Sequence, residues 1–266
     1  MRKVTQIASA ALVAMTMAAC TSASATPSAA PASAGPSAGP SLTVYYEESA
    51  QVELVAPSGE RVFFDVTDPT LISAAPTAKD ILLTTHLHSD HYNQAWADAF
   101  PGQQVTNKAG EFTFGTTKVK SLDAAHDDNP ILPGEATNHI FVVEFAGFKV
   151  VQLGSTGQLA LTADQLAAIG SDVDLVIGPL QNVGGGDPTN SKPIDVINQI
   201  KPKLVVPSHT GLEYVQAAGK QWDALWSGKK SVTIPLAELP TRTTLLCMGS
   251  LGPSYGKILK APEAKW

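Results

Sequence analysis

Apolar positions fall in short runs along the first half of the chain. Residues 42–46, 51–55 and 61–65 read as strands, with Pro57-Ser58-Gly59 as a turn signal between the second and third. Ile81-Leu82-Leu83-Thr84-Thr85 is a continuous strand-like run that leads directly into His86. Residues 93–100 predict a helix ended by Pro101-Gly102, and 111–114 and 117–122 predict two strands that lead to Ala124-Ala125-His126. Residues 140–145 and 148–153 predict a hairpin around Ala146-Gly147. The period then lengthens. A helix is predicted over 161–169, with Thr162 as N-cap and Gly170 past its end, then a strand over 174–177, a helix over 194–200 and a strand over 203–206 that leads to Pro207-Ser208-His209. Strand–helix–strand units after a strand-rich start predict an α/β fold with sheets covered by helices. No short-period repeat is present.

Composition changes the picture at the N-terminus. Residues 1–20 read as a signal peptide: Arg2 and Lys3 precede an uncharged apolar run from Ile7 to Ala19 that is too short to span a bilayer. Met17-Ala18-Ala19-Cys20 resembles the lipobox of bacterial lipoproteins, which makes Cys20 the expected lipid acceptor. Ordinary secretion with an incidental cysteine is the alternative. Residues 21–41 contain only Thr, Ser, Ala, Pro and Gly and predict a disordered tether. Residues 42–266 are then one exported, lipid-anchored domain, with no membrane partner beyond that lipid. Cys247 is the one cysteine left, so the domain has no internal disulfide. Its apolar neighbours predict a buried thiol. The net charge of -6, with no basic cluster, argues against a nucleic-acid partner.

The chemistry lies in the histidines. Of the chain's 6, three stand in His86-Leu87-His88-Ser89-Asp90-His91. On an extended segment, residues two apart face the same way, so His86 and His88 aim at one point. A turn near Ser89 would swing Asp90 and His91 toward a second point. Imidazole and carboxylate donors suit zinc, with manganese and iron also compatible.

Thr85-His86-Leu87-His88-Ser89-Asp90-His91 resembles the signature of the metallo-β-lactamase superfamily. The likeness extends through Asp65, His126, Gly154-Ser155-Thr156 and Pro207-Ser208-His209. It is nearest to the compact branch that includes ascorbate-6-phosphate-lactonase-like hydrolases. The resemblance implies a four-layer αββα sandwich. It implies one metal on His86, His88 and His126, and a second on Asp90, His91 and His209. It further implies a hydrolase that attacks a small ester, lactone, amide or phosphoester with a metal-bound hydroxide. Asp90 would then be the catalytic group that orients the water or takes its proton.

Two positions depart from the pattern. Ser155 stands where the family has an aspartate that bridges the metals, and a neutral hydroxyl is a poor replacement for that anion. The second ion is then weak or absent, or Asp127 or Asp128 supplies a carboxylate, or catalysis is lost. The last outcome defines the rival reading: a non-catalytic, metal- or ligand-binding surface lipoprotein. Tyr46-Glu47-Glu48-Ser49-Ala50 stands where compact members carry a Gly-His-x-Ser-like segment. His139 reads as a strand-end polar residue, and Gly184-Gly185-Gly186-Asp187 as a turn that the family layout puts near the metal edge. Trp222 and Trp226 stand at helical spacing, which predicts core packing from one helix face.

Overall fold

The computed structural model describes residues 39–47, 49–126 and 137–266. The leader, Cys20, most of the tether, Asp127 and Asp128 lie outside these residues. One sheet contains β1 (Ser41–Tyr46), β2 (Val52–Val55), β3 (Arg61–Phe64), β4 (Ile81–Thr84) and β5 (Gln103–Thr106), with β13 (Ser231–Pro235) on the outer side of β1. The other contains β6 (Gly110–Phe114), β7 (Thr117–Ala124), β8 (Asn138–Phe145), β9 (Phe148–Gln152), β10 (Leu175–Pro179), β11 (Leu204–Ser208), β14 (Thr244–Cys247) and β12 (Asp223–Trp226), adjacent in that order. The helices are α1 (Gln94–Ala99), α2 (Ala163–Ile169), α3 (Lys192–Ile200), α4 (Leu212–Ala218) and α5 (Gly252–Leu259).

Side-chain alternation assigns the layers, because successive strand residues point to opposite faces. Val62 and Phe64 enter the core between the sheets. Phe63, between them, faces outward and packs with Ala97 and Phe100 at α1. Its ring lies edge-on to Trp96 and Phe100, both at 5.9 Å. Phe63→Ala would remove that anchor at a cost of about 3–5 kcal/mol. In β8, Phe141 and Val143 face the inter-sheet core, whereas Ile140 and Val142 face Ile169, Ile197 and Tyr214 of the helices. The layers run helix, sheet, sheet, helices, which is the αββα sandwich.

Local signals define the ends of the early helices. Asn93 caps α1, accepting from Trp96 N. Thr162 and Gln165 form a reciprocal capping box on α2, and Gly170 ends it with φ 69°.

The C-terminal third differs from expectation. Helices α4 and α5 and strands β12 and β13 lie outside the predicted elements, as does, earlier in the chain, the edge strand β5 with exposed Gln103 and Gln104. Trp222 and Trp226 do not share a helix: Trp222 follows α4 and Trp226 lies in β12. Both still pack into the core under the helices. Cys247 is buried as expected, and burial pushes its thiol up to about 12.

One edge collects several strand ends. Strands β9, β10, β11 and β14 are parallel neighbours. Strand β7 runs the same way because β7–β8 and β8–β9 are both antiparallel. The chain leaves β7 toward His126, β9 toward Ser155 and β11 toward His209. In the first sheet it leaves β4 toward His86. The sheets touch at this edge, where His139 N of β8 donates to Thr85 O at 3.0 Å.

Candidate metal centre

Five histidines converge at that edge. Ring centroids lie 4.6 Å apart for His86–His88, 5.0 Å for His86–His126 and 4.7 Å for His88–His126. His91 is 4.0 Å from His86 and 4.8 Å from His209. His86 and His88 follow the end of β4, and a tight turn then brings His91 back, its N–H donating to His88 O at 2.9 Å. His209 adopts φ 33°, a left-handed conformation that costs a non-glycine residue roughly 1–2 kcal/mol and is tolerated chiefly where surroundings impose it.

Two groups of ligand atoms lie within 4.8 Å of one another: His86 with His88 and His126, and His86 with Asp90 and His91. The first matches the ligand set implied by the resemblance. In the second, Asp90 groups with His86 and His91 rather than with His209. His209 approaches His91 instead, Nε2 to Nε2, at 2.8 Å.

The electrostatics fit a cation. Burial and the neighbouring histidines push His86 down to about 2, so its ring is neutral at any working pH. Its Nε2 is buried with no protein partner. Such an orphaned donor or acceptor costs about 1–3 kcal/mol unless something satisfies it. Burial lowers His209 as well. A neutral His86 ring with an unpartnered nitrogen, ringed by other imidazoles, is a donor set suited to a positive ion.

Asp65 holds the other half. It is fully buried in a left-handed conformation, φ 49°, at the end of β3. Its carboxylate accepts from Thr85 N at 2.8 Å and Thr85 Oγ1 at 2.9 Å. It lies 2.9 Å from His91 Nδ1. A carboxylate can only accept, so Nδ1 carries the proton and Nε2 points its lone pair into the site. Ser155 Oγ lies 2.9 Å from that Nε2, and Ser49 Oγ lies 3.3 Å from His209 Nδ1.

Three of these positioning residues carried little sequence signal. Thr85 also reaches His86 Nδ1 at 3.1 Å, and only its place before the motif marked it. Asn138 Oδ1 accepts from Ser155 N at 3.1 Å, and Asn138 Nδ2 donates to Leu153 O at 2.9 Å. Gly154, at φ 59°, packs so closely on Asn138 and Thr85 that a Cβ would collide with both. His139 is not with the other five: its Nδ1 donates to Thr85 O at 3.2 Å and its Nε2 lies 3.3 Å from Asp123. It holds the strand that carries His86, in keeping with its reading as a polar strand residue.

A carboxylate-oriented histidine cluster, buried at His86 and His91, at one edge of an αββα sandwich defines a candidate metal site. The sequence pattern of the beta-lactamase superfamily domain matches residues 43–209, and the chain belongs to that family. No curated protein is significantly similar in sequence. Among solved structures, a Thermotoga maritima protein assigned to the Zn-dependent hydrolases of the metallo-β-lactamase superfamily is 22% identical with TM-score 0.58; the match covers 78% of this chain and 98% of that one. A metallo hydrolase from Ignicoccus hospitalis is 15% identical with TM-score 0.47, over 68% of this chain and 91% of that one.

Proposed function

We propose that this protein is a metal-dependent hydrolase of a small substrate, exported and anchored through Cys20. The convergence of His86, His88 and His126, with an orphaned His86 nitrogen among them, carries the reading. These three would hold one tightly bound divalent ion, zinc first among the candidates. A bound ion of this kind lowers the pKa of its water to about 7 and polarises the attacked oxygen.

The chain's own groups do the rest. Asp90 is exposed in a cavity shared with His126, Ser155 and His209, where it can orient a water or accept its proton. Asp65 fixes the ring of His91 through Nδ1. Ser155 supplies a neutral hydroxyl where an anion would draw a second ion, so the Asp90, His91 and His209 side is read as weakly occupied. Cys20 is read as the lipid acceptor and the Ala/Ser/Pro/Gly tether as the spacer that lets the domain stand off the membrane.

Metal analysis of the purified domain tests the site: one ion per chain is expected, and two tightly held ions would overturn the weak second site. Replacing His86 and His88 with Ala should abolish both metal binding and turnover in a screen of esters, lactones and amides. Cys20→Ala should move the protein from the membrane fraction to the soluble one.

A further inference from the structure

Two cavities share His209 and Thr210 as a common wall. One, about 390 Å³, lies over Asp90, His126 and Ser155. The other, also about 390 Å³, runs from Ser49 and His209 toward α5. Each falls within the roughly 300–1,000 Å³ of small-ligand sites. The second is walled by Tyr46, Val206, Cys247, Met248, Leu251 and Tyr255. These come from strands of both sheets and from the start of α5, so only the folded chain creates the space.

We propose that this second cavity receives the apolar alkyl or aryl group of a neutral ester or lactone whose carbonyl lies at the histidine cluster. The proposal rests on the hydrolase reading and names the substrate class of the same site. Three observations support it. The first is adjacency, since His209 belongs to the cluster and borders both cavities. The second is charge. Among the described residues neither cavity wall includes a lysine or arginine, and the first includes Asp90. A substrate anion lodged in the second cavity, away from the proposed ion, would find no cation in its wall to offset desolvation. The third is exposed apolar surface. Six large hydrophobics of the described residues are exposed, and Leu87, Val183 and Leu251 among them belong to the histidine motif and the two cavity walls. Leu251 is 56% exposed at the cavity mouth, so a bound alkyl chain would cover it.

Two measurements on the full chain test this, one catalytic and one not. The first is hydrolysis of neutral p-nitrophenyl esters from acetate to decanoate by the metal-loaded protein. kcat/KM should rise about fourfold for each methylene buried, until the cavity is full. The second is binding of linear alcohols from butanol to octanol, followed by calorimetry. Affinity should rise by the same factor per methylene whether or not any ester is hydrolysed. Leu251→Trp, which fills the mouth, should shorten the preferred chain in both assays. Leu251→Asp should flatten both series, and because Leu251 is exposed neither change threatens folding. Affinity that is independent of chain length, or equal length dependence in both Leu251 variants and the unaltered protein, overturns the proposal. Chain-length-dependent binding without ester turnover would instead overturn the hydrolase reading and leave an apolar-ligand site.

Discussion

The two halves of the histidine cluster are built from the same residue types and differ in what satisfies them. On the His86, His88 and His126 side, a buried imidazole nitrogen has no protein partner. On the His91 and His209 side, every ring nitrogen has one: Asp65 and Ser155 at His91, Ser49 at His209, and the two rings each other. In the first, the buried His86 Nε2 is left for a cation to satisfy. The second can be satisfied by protons shared among its own side chains. An aspartate at 155 would remove that self-sufficiency by adding an anion beside two nitrogens. On the proposed reading, the occupancy of the second half turns on Ser155, although its histidines are in place.

The double change His86→Ala with His88→Ala should have the largest effect. kcat/KM is expected to fall about a thousandfold or more, the several kcal/mol of charge stabilisation that an ion supplies, with metal content near zero by elemental analysis. Retained metal would erase the distinction between the halves. Asp65→Asn comes next. It replaces the carboxylate that fixes the His91 tautomer with a neutral amide that both accepts and donates, and a loss of about 10–100-fold in activity is expected from steady-state kinetics. No loss would mean that His91 plays no part in turnover. Ser155→Asp sharpens the comparison from the other side. It should raise metal content from one ion toward two and tighten the second ion about tenfold or more by competitive chelation. An unchanged stoichiometry would place the limit elsewhere than at Ser155.

Glu47→Gln has the smallest expected effect at the site and serves as a control in the same hairpin. Glu47 is buried, accepts from Gln51 Nε2 at 2.7 Å, and leaves Oε1 without a partner. Burial raises its carboxyl from 4.5 to about 7. The folded state therefore keeps its proton where the unfolded chain has lost it. The stability linked to that proton is present below pH 4.5 and is lost as the pH rises to about 7. Glu47→Gln should flatten this slope and add about 1 kcal/mol at pH 8 in urea titrations, with metal content unchanged. A slope that persists in the variant would place the titration on another group.

Much of the site was legible because its signal is local. His86, His88, Asp90 and His91 lie within six residues, and an apolar strand aims them. His126 and His209 were found only through the resemblance, since nothing nearby marks either as a partner of a motif that ends 118 positions before His209. Ser49, Thr85 and Asn138 were not singled out, because ordinary polar residues take their roles from what the fold brings beside them. Strand β13 pairs with β1 across the length of the domain, as in Val44 opposite Val232, and no local pattern encodes that register.

By itself, the sequence determined the strand-rich first half, the caps of α2 and the donor chemistry, because alternation, capping and ligand type are properties of neighbours along the chain. Only the tertiary structure decided which histidine nitrogens lack a partner, how Asp65 and Ser155 meet at one ring, and that an apolar cavity opens beside His209. Those features depend on distances between strand ends from two sheets, and such distances exist only once the layers have packed.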